Sequence, residues 1–342
     1  MAFYGYTIGD AVNPAAPNPA NEGFEVYRYL IPDAPINGGN GIIAVELVGI
    51  LSAPNFTGDG GEDIEGLGTS PRIQGISGVS EGTGTGRRVN NLDEPSLPPA
   101  PQVQNFGGTA RQFTDTGSDI YVNKAEKAIQ YIVQSSPASG SILYKTGAGG
   151  NYGNTTLAQV GTDTEFADGL AIYNTPVNVN ALDGQYTGKY KAFASDFNLA
   201  DGDGAEIYAV NLFPQAPNGD FLTGAIQLVN PNGTAFDVLT NANNAGRPDP
   251  DSPQDGFDSG LAFTPDGKKL IAQLENGLVY QISDFQDDVL GSTTGDGKAT
   301  IRRLGMLALN GQPLPGTLTG SIEYEGLAIV SEDTAGNPIF NL

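Results

Sequence analysis

Four short segments carry an acidic residue one or two positions before a Gly-Leu pair. They are Ile64-Glu65-Gly66-Leu67, Ala167-Asp168-Gly169-Leu170, Asp258-Ser259-Gly260-Leu261 and Tyr324-Glu325-Gly326-Leu327. If these segments are copies of one structural unit, Glu65, Asp168, Asp258 and Glu325 stand at equivalent places and can converge. A ring of carboxylates does one of two kinds of chemistry. It holds a hard cation such as calcium, which takes six to eight oxygen ligands from carboxylates and carbonyls. Or two of its members, Glu65 with Glu325 or Asp168 with either, flank a glycosidic bond as acid and base or nucleophile.

Other acidic clusters, such as Asp201-Gly202-Asp203-Gly204 and Asp249-Pro250-Asp251, do not complete the twelve-position EF-hand pattern and read as hairpin turns. The chain has no His and no Cys. That removes Ser-His-Asp triads, thiolate nucleophiles, disulfides, imidazole ligands and Cys-ligated zinc. Phosphoryl chemistry wants clustered cations to neutralise developing charge. Only Arg87-Arg88 and Arg302-Arg303 are paired arginines, and nothing in the sequence ties them to the acidic ring.

Lys and Arg number 16 against 39 Asp and Glu, a formal net charge of −23, which repels nucleic acid and anionic membrane surfaces. Neither partner is expected. There is no run of 18 apolar residues, and the first ten residues lack the basic and apolar regions of a secretory signal. Export, if it occurs, is expected to be leaderless or to concern a mature chain.

The elements that must position these carboxylates are short strands. With 48 Gly and 23 Pro spread along 342 residues, turns are frequent and long helices disfavoured, so the class is all-β. The one helix candidate is 124–133, which also reads as an alternating strand. A second marker, two β-formers or an acid and a β-former followed by Tyr, occurs at Glu25-Val26-Tyr27, Ile142-Leu143-Tyr144, Glu206-Ile207-Tyr208 and Leu278-Val279-Tyr280.

Around the third Gly-Leu copy the order is Gly260–Phe263, Lys269–Ala272, Leu278–Ile282 and Thr300–Leu304, four successive strands of one propeller blade. Read circularly, Gly326-Leu327 and Ile339-Phe340 begin a blade that 24–30 and 42–48 complete from the N-terminus. With a weaker first strand near 110–114 this gives a β-propeller of five blades, six being the other count. A β-sandwich or two stacked β domains is the alternative. Residues 1–23 read as an N-terminal tip or arm and 24–342 as one β domain with an exposed loop at 80–103, which is rich in Gly and Pro. Acidic residues before Gly at a channel mouth are similar to those of calcium-dependent propellers of the lactonase and phytase-like groups.

The run Ala2-Phe3-Tyr4-Gly5-Tyr6-Thr7-Ile8-Gly9-Asp10 resembles the N-terminus of the acidic water stress proteins of desiccation-tolerant cyanobacteria, with Phe3 and Asp10 where Leu and Glu would stand. The resemblance implies a protein secreted into the extracellular matrix, bound to exopolysaccharide or ultraviolet-absorbing pigments and active in survival of drying. A polysaccharide hydrolase acting on that matrix is the other expectation. The resemblance carries no catalytic motif, so no catalytic residue is assigned.

Overall fold

The structure is a computed structural model. It describes residues 2–9, 23–52, 63–70, 75–81, 87–90, 103–105, 116–122, 128–134, 141–145, 155–159, 168–173, 192–197, 204–212, 222–238, 257–265, 267, 269–285, 295–314, 324, 326–332 and 338–339. In chain order the strands are β1 (Phe3–Ile8), β2 (Gly23–Leu30), β3 (Ile42–Ser52), β4 (Asp63–Ser70), β5 (Gly75–Glu81), β6 (Arg87–Asn90), β7 (Val103–Asn105), β8 (Thr116–Val122), β9 (Ala128–Gln134), β10 (Ile142–Lys145) and β11 (Thr155–Gln159). They continue as β12 (Gly169–Ile172), β13 (Ala192–Asp196), β14 (Glu206–Val210), β15 (Leu222–Val229), β16 (Ser259–Phe263), β17 (Leu270–Leu274), β18 (Leu278–Ser283), β19 (Lys298–Leu309), β20 (Gln312–Pro313), β21 (Ala328–Glu332) and β22 (Pro338–Ile339).

Antiparallel pairing groups them into five four-stranded blades. Blade I is β4 to β7, blade II β8 to β11, blade III β12 to β15 and blade IV β16 to β19. Blade V is built from both ends of the sequence, in the order β21, β1, β2, β3. Each innermost strand touches the next, from β4 through β8, β12, β16 and β21 and back to β4. That circuit makes the molecule a five-bladed β-propeller.

Its core is divided the same way. Five apolar clusters lie one at each junction between blades. Alternation along each strand feeds the two junctions beside it, because successive side chains point to opposite faces. On β14, Ile207 and Ala209 face blade IV while Tyr208 and Val210 face blade II. On β9, Tyr131 and Val133 pack toward blade III and Ile132 toward blade I. Both faces of β9 are therefore apolar, and the segment that read as a possible helix at 124–133 is strand from 128 on.

The two sequence markers turn out to be the first and third strands of blades. Gly-Leu opens or immediately precedes the inner strand in blades III, IV and V and lies mid-strand in β4 of blade I, and the Tyr marker lies on the third strand of blades II to V. In blade II the inner strand is β8 (Thr116–Val122), a few residues beyond the expected 110–114, with Thr116-Gly117-Ser118 as its degenerate copy of the motif.

Three boundaries differ from the sequence reading. Phe3–Ile8 is not an arm: it is the second strand of blade V, hydrogen-bonded to β2 and β21, so it belongs to the same β domain. The closing 338–339 pair lies instead on the other edge of β21, opposite Ser331 and Glu332. The segment 80–103 contains β6, whose Arg87-Arg88-Val89 pairs with β5 and β7, because its Gly-rich and Pro-rich stretches flank a strand. Pairing alone makes that strand part of blade I.

Closure of blade V joins the chain ends by polar contacts as well. Arg28 on β2 donates to Glu46 on β3 and, at 2.8 Å, to Glu332 on β21, and its guanidinium lies over the Tyr4 ring. Gln273 on β17 sits at the blade IV–V junction. Its amide nitrogen donates to Thr7 Oγ1 at 2.6 Å and to the Tyr324 carbonyl at 2.7 Å, and its oxygen accepts from the buried Tyr29 hydroxyl at 2.7 Å.

Candidate functional site

The propeller axis is where the acidic-Gly motif converges, and glycine is what the geometry there selects. Gly66, Gly117, Gly169, Gly260 and Gly326 form a ring in which each would drive a Cβ into the backbone of the following blade. The last also requires a left-handed backbone, at φ +63°, and its Cβ would collide with the carbonyl of Glu65. The cavity left between them is about 10 Å³. That is room for about one water molecule.

The carboxylates beside this ring are tied to protein donors. Glu65 lies at a β-bulge in β4, and its buried Oε2 accepts from the backbone N–H of Thr116, the first residue of blade II's inner strand. A bulge re-aims a side chain in this way. Asp168 precedes β12 in blade III and is also buried. Its Oδ1 accepts from the hydroxyls of Ser195 at 3.3 Å and Ser259 at 3.2 Å, and those two hydroxyls are 2.7 Å apart. Ser259 holds in blade IV the position that Thr116 holds in blade II, immediately before the axial glycine. In both cases an acid before glycine binds the residue before glycine in the next blade.

Asp258 is half-buried and receives the backbone N–H of Glu275 on its carbonyl, at 3.1 Å. Glu325 lies outside the described residues. Among the described residues no group of three or more Asp, Glu, His or Cys side chains gathers as a cation site.

Sequence reasoning missed Asp119, a carboxylate near the axis with three backbone N–H donors. It sits two residues after Gly117 on β8. Its Oδ1 accepts from the N–H groups of Ile120 at 2.7 Å and Thr69 at 3.3 Å, and its Oδ2 from Ile172 at 2.7 Å. One side chain thereby fastens the inner strands of blades I, II and III. Burial pushes its pKa up from 3.8 to about 7, against the pull of the three N–H donors, which favour the charged form. The signal available was the Asp115-Thr116-Gly117 run, which matches Asp258-Ser259-Gly260 and marks the fifth copy of the motif.

A second cavity, of about 180 Å³, lies far out on blade IV. Arg302, Arg303 and Tyr280 line it together with Phe236, Asn230 and Gly38.

A scan against protein-family models finds no match, and a search of curated proteins finds none. Among solved structures the chain is similar to a chain of a nidogen/laminin complex at 10% identity, covering 96% of this chain and 98% of that one, with a TM-score of 0.45. It is similar to a GH43_1 enzyme from Xanthomonas citri at 11% identity, covering 98% and 87%, with a TM-score of 0.44. A thermostable family-43 glycoside hydrolase matches at 15% identity over 86% and 92%, with a TM-score of 0.40. At scores below 0.5 these likenesses assign no activity to this chain. The fold stands on its own strand pairing and junction cores.

Proposed function

We propose that this chain is a non-catalytic binding protein of an extracellular polysaccharide matrix, its propeller serving as a rigid scaffold. The observation that carries the reading is the use of the axial carboxylates. Glu65, Asp168 and Asp119 all accept hydrogen bonds that hold one blade to another. An acid that left these donors to reach a sugar would weaken the junction it holds.

The resemblance of residues 2–10 to the acidic water stress proteins supports placing the protein outside the cell, with exopolysaccharide and ultraviolet-screening pigments as partners in tolerance of drying. A net charge of −23 favours solubility when water returns. Calcium fits this reading as a bridge between surface carboxylates and an acidic glycan, and needs neither Glu65 nor Asp168. The test is co-sedimentation of the full chain with an acidic exopolysaccharide, with calcium and with EDTA, beside an assay for new reducing ends. Binding without release of reducing ends is expected; release that follows the protein through purification sinks the reading.

The second reading is a carboxylate glycoside hydrolase, and Asp119 is what favours it. A carboxyl held near pKa 7 is half protonated at neutral pH, as a general acid must be. Its test is glycan hydrolysis by Asp119→Asn at unchanged fold. Loss of a measured wild-type activity, with thermal unfolding preserved, would favour the enzyme.

A further inference from the structure

The Tyr marker on the third strands supplies an internal control. In blade V the Tyr27 hydroxyl donates to Glu25, and in blade III the Tyr208 hydroxyl donates to Glu206 at 2.8 Å, so each tyrosine is satisfied by the acid two residues before it. Blades II and IV carry no acid at that place, and in blade II the residue two before Tyr144 is Ile142. The residue two before Tyr280 is Leu278, and the Tyr280 hydroxyl, on a side chain only 1% exposed, makes no hydrogen bond of normal geometry among the described residues. Burial raises its pKa while Arg303 nearby draws it back down.

The cavity that Tyr280 lines has a topological origin. The outer edge of β19 is covered at both ends by parallel strands from neighbouring blades, β15 along Lys298–Thr300 and β3 along Met306–Ala308. Between those two pairings lie residues 301–305, and the cavity of about 180 Å³ is there. Its walls come from three blades: the turn after β15 with Asn230 and Phe236, β18 and β19 with Tyr280, Arg302 and Arg303, and the 36–39 turn after β2 with Gly38. Arg303 is anchored by its Nε donating to the Gly39 carbonyl at 2.8 Å, whereas Arg302 is exposed. Among the described residues that line this cavity there is no carboxylate. Two guanidinium groups, a buried phenol and an aromatic wall suit one ring bearing one carboxylate. The volume falls below the roughly 300–1,000 Å³ of a drug-sized pocket, so a single ring is the fitting size.

We propose that this cavity between the outer strands of blades III, IV and V binds a uronic acid, the carboxylate received by Arg302 and Arg303 and the ring held against Phe236 and Tyr280. The sugar identity rests on the matrix-binding reading above; the carboxylate rests on the cavity alone. The experiment is calorimetric titration of the full chain with D-glucuronate, with D-glucose, and with the acidic exopolysaccharide, for wild type, Arg302→Gln and Tyr280→Phe.

Glucuronate is expected to bind, glucose to bind at least about tenfold more weakly, and Arg302→Gln to weaken glucuronate by about tenfold, the value of one charge-assisted hydrogen bond. Tyr280→Phe should weaken binding with little change in the unfolding midpoint, since the hydroxyl makes no hydrogen bond of normal geometry among the described residues; a merely structural tyrosine would lower the midpoint instead. Absence of glucuronate binding, equal binding of glucose, or affinity unchanged in both variants overturns the proposal. Polysaccharide binding without glucuronate binding also overturns it while leaving the matrix reading intact. Glucuronate binding that the variants weaken, without polysaccharide binding, supports the cavity site and removes the matrix reading.

Discussion

The axis of this propeller and the outer edge of blade IV solve opposite problems with opposite charges. At the axis five inner strands approach so closely that only glycine fits, and carboxylates are retained because each accepts hydrogen bonds from the next blade. On blade IV two neighbouring strands cover β19 from its ends, stop short of one another, and leave a gap lined by two arginines and Tyr280. Glu65 and Asp168 thus each join one blade to the next, although their pattern in sequence is the more suggestive of chemistry. The arginine pair looks like ordinary strand sequence yet lines a cavity.

The strongest way to break this contrast is through pH. Asp119 has its folded pKa raised from 3.8 to about 7, so the folded protein binds more protons than the unfolded chain between those values. Unfolding free energy is then highest at or below pH 4, falls as pH rises toward 7 and levels off above it. Three pKa units correspond to at most about 4 kcal/mol. Calorimetric midpoints from pH 4 to 8 should show the decline, and Asp119→Asn, which has no proton to lose, should flatten it. The same slope in both proteins would mean that Asp119 is not the buried acid described here.

Gly326→Ala tests the ring itself. The added Cβ meets the Glu65 carbonyl in a left-handed backbone, and a loss of about 3 kcal/mol is expected in urea unfolding. An unchanged midpoint concentration would show that the axis is looser than a one-water cavity.

Gln273→Leu keeps the volume of the side chain and removes its three hydrogen bonds at the blade IV–V junction, stranding the Tyr29 hydroxyl. About 2 kcal/mol should be lost, with hydrogen exchange rising first in β1 and β21. Uniform exchange across all blades would deny that this residue closes the ring. At the small end, Asp33→Asn removes only the 3.4 Å contact with Lys269 from a fully exposed carboxylate, and thermal unfolding should not register it.

Much of this architecture was legible in the sequence, and the failures share one cause. The Gly-Leu copies and the strand-Tyr copies named the first and third strands of most blades because close approach at the axis and burial at a junction restrict residue choice. Blade II was displaced because its copy of the motif reads Asp115-Thr116-Gly117-Ser118, with Ser118 where the other copies have leucine. Its second strand was ambiguous because both faces of β9 are buried, which erases alternation.

Phe3–Ile8 looked like a detached tip because its partners, β2 and β21, stand on either side of it from distant parts of the sequence. Convergence of the glycines on the axis was readable; what Glu65 and Asp168 do beside them was not. A carboxylate before glycine looks the same in one dimension whether it faces a cation, a sugar or the N–H of Thr116.

The central claim is that the axial carboxylates join blades. The measurement that tests it most directly is thermal unfolding of wild type and of a Glu65→Gln, Asp168→Asn double variant, each with calcium and with EDTA. Exchanging the charged acceptors of Thr116, Ser195 and Ser259 for neutral amide oxygens should lower stability by about 2 kcal/mol, near 1 for each site, by the same amount in both buffers. A wild-type midpoint that rises with calcium, and a variant in which that rise is gone, would contradict the account and make the axis a cation site.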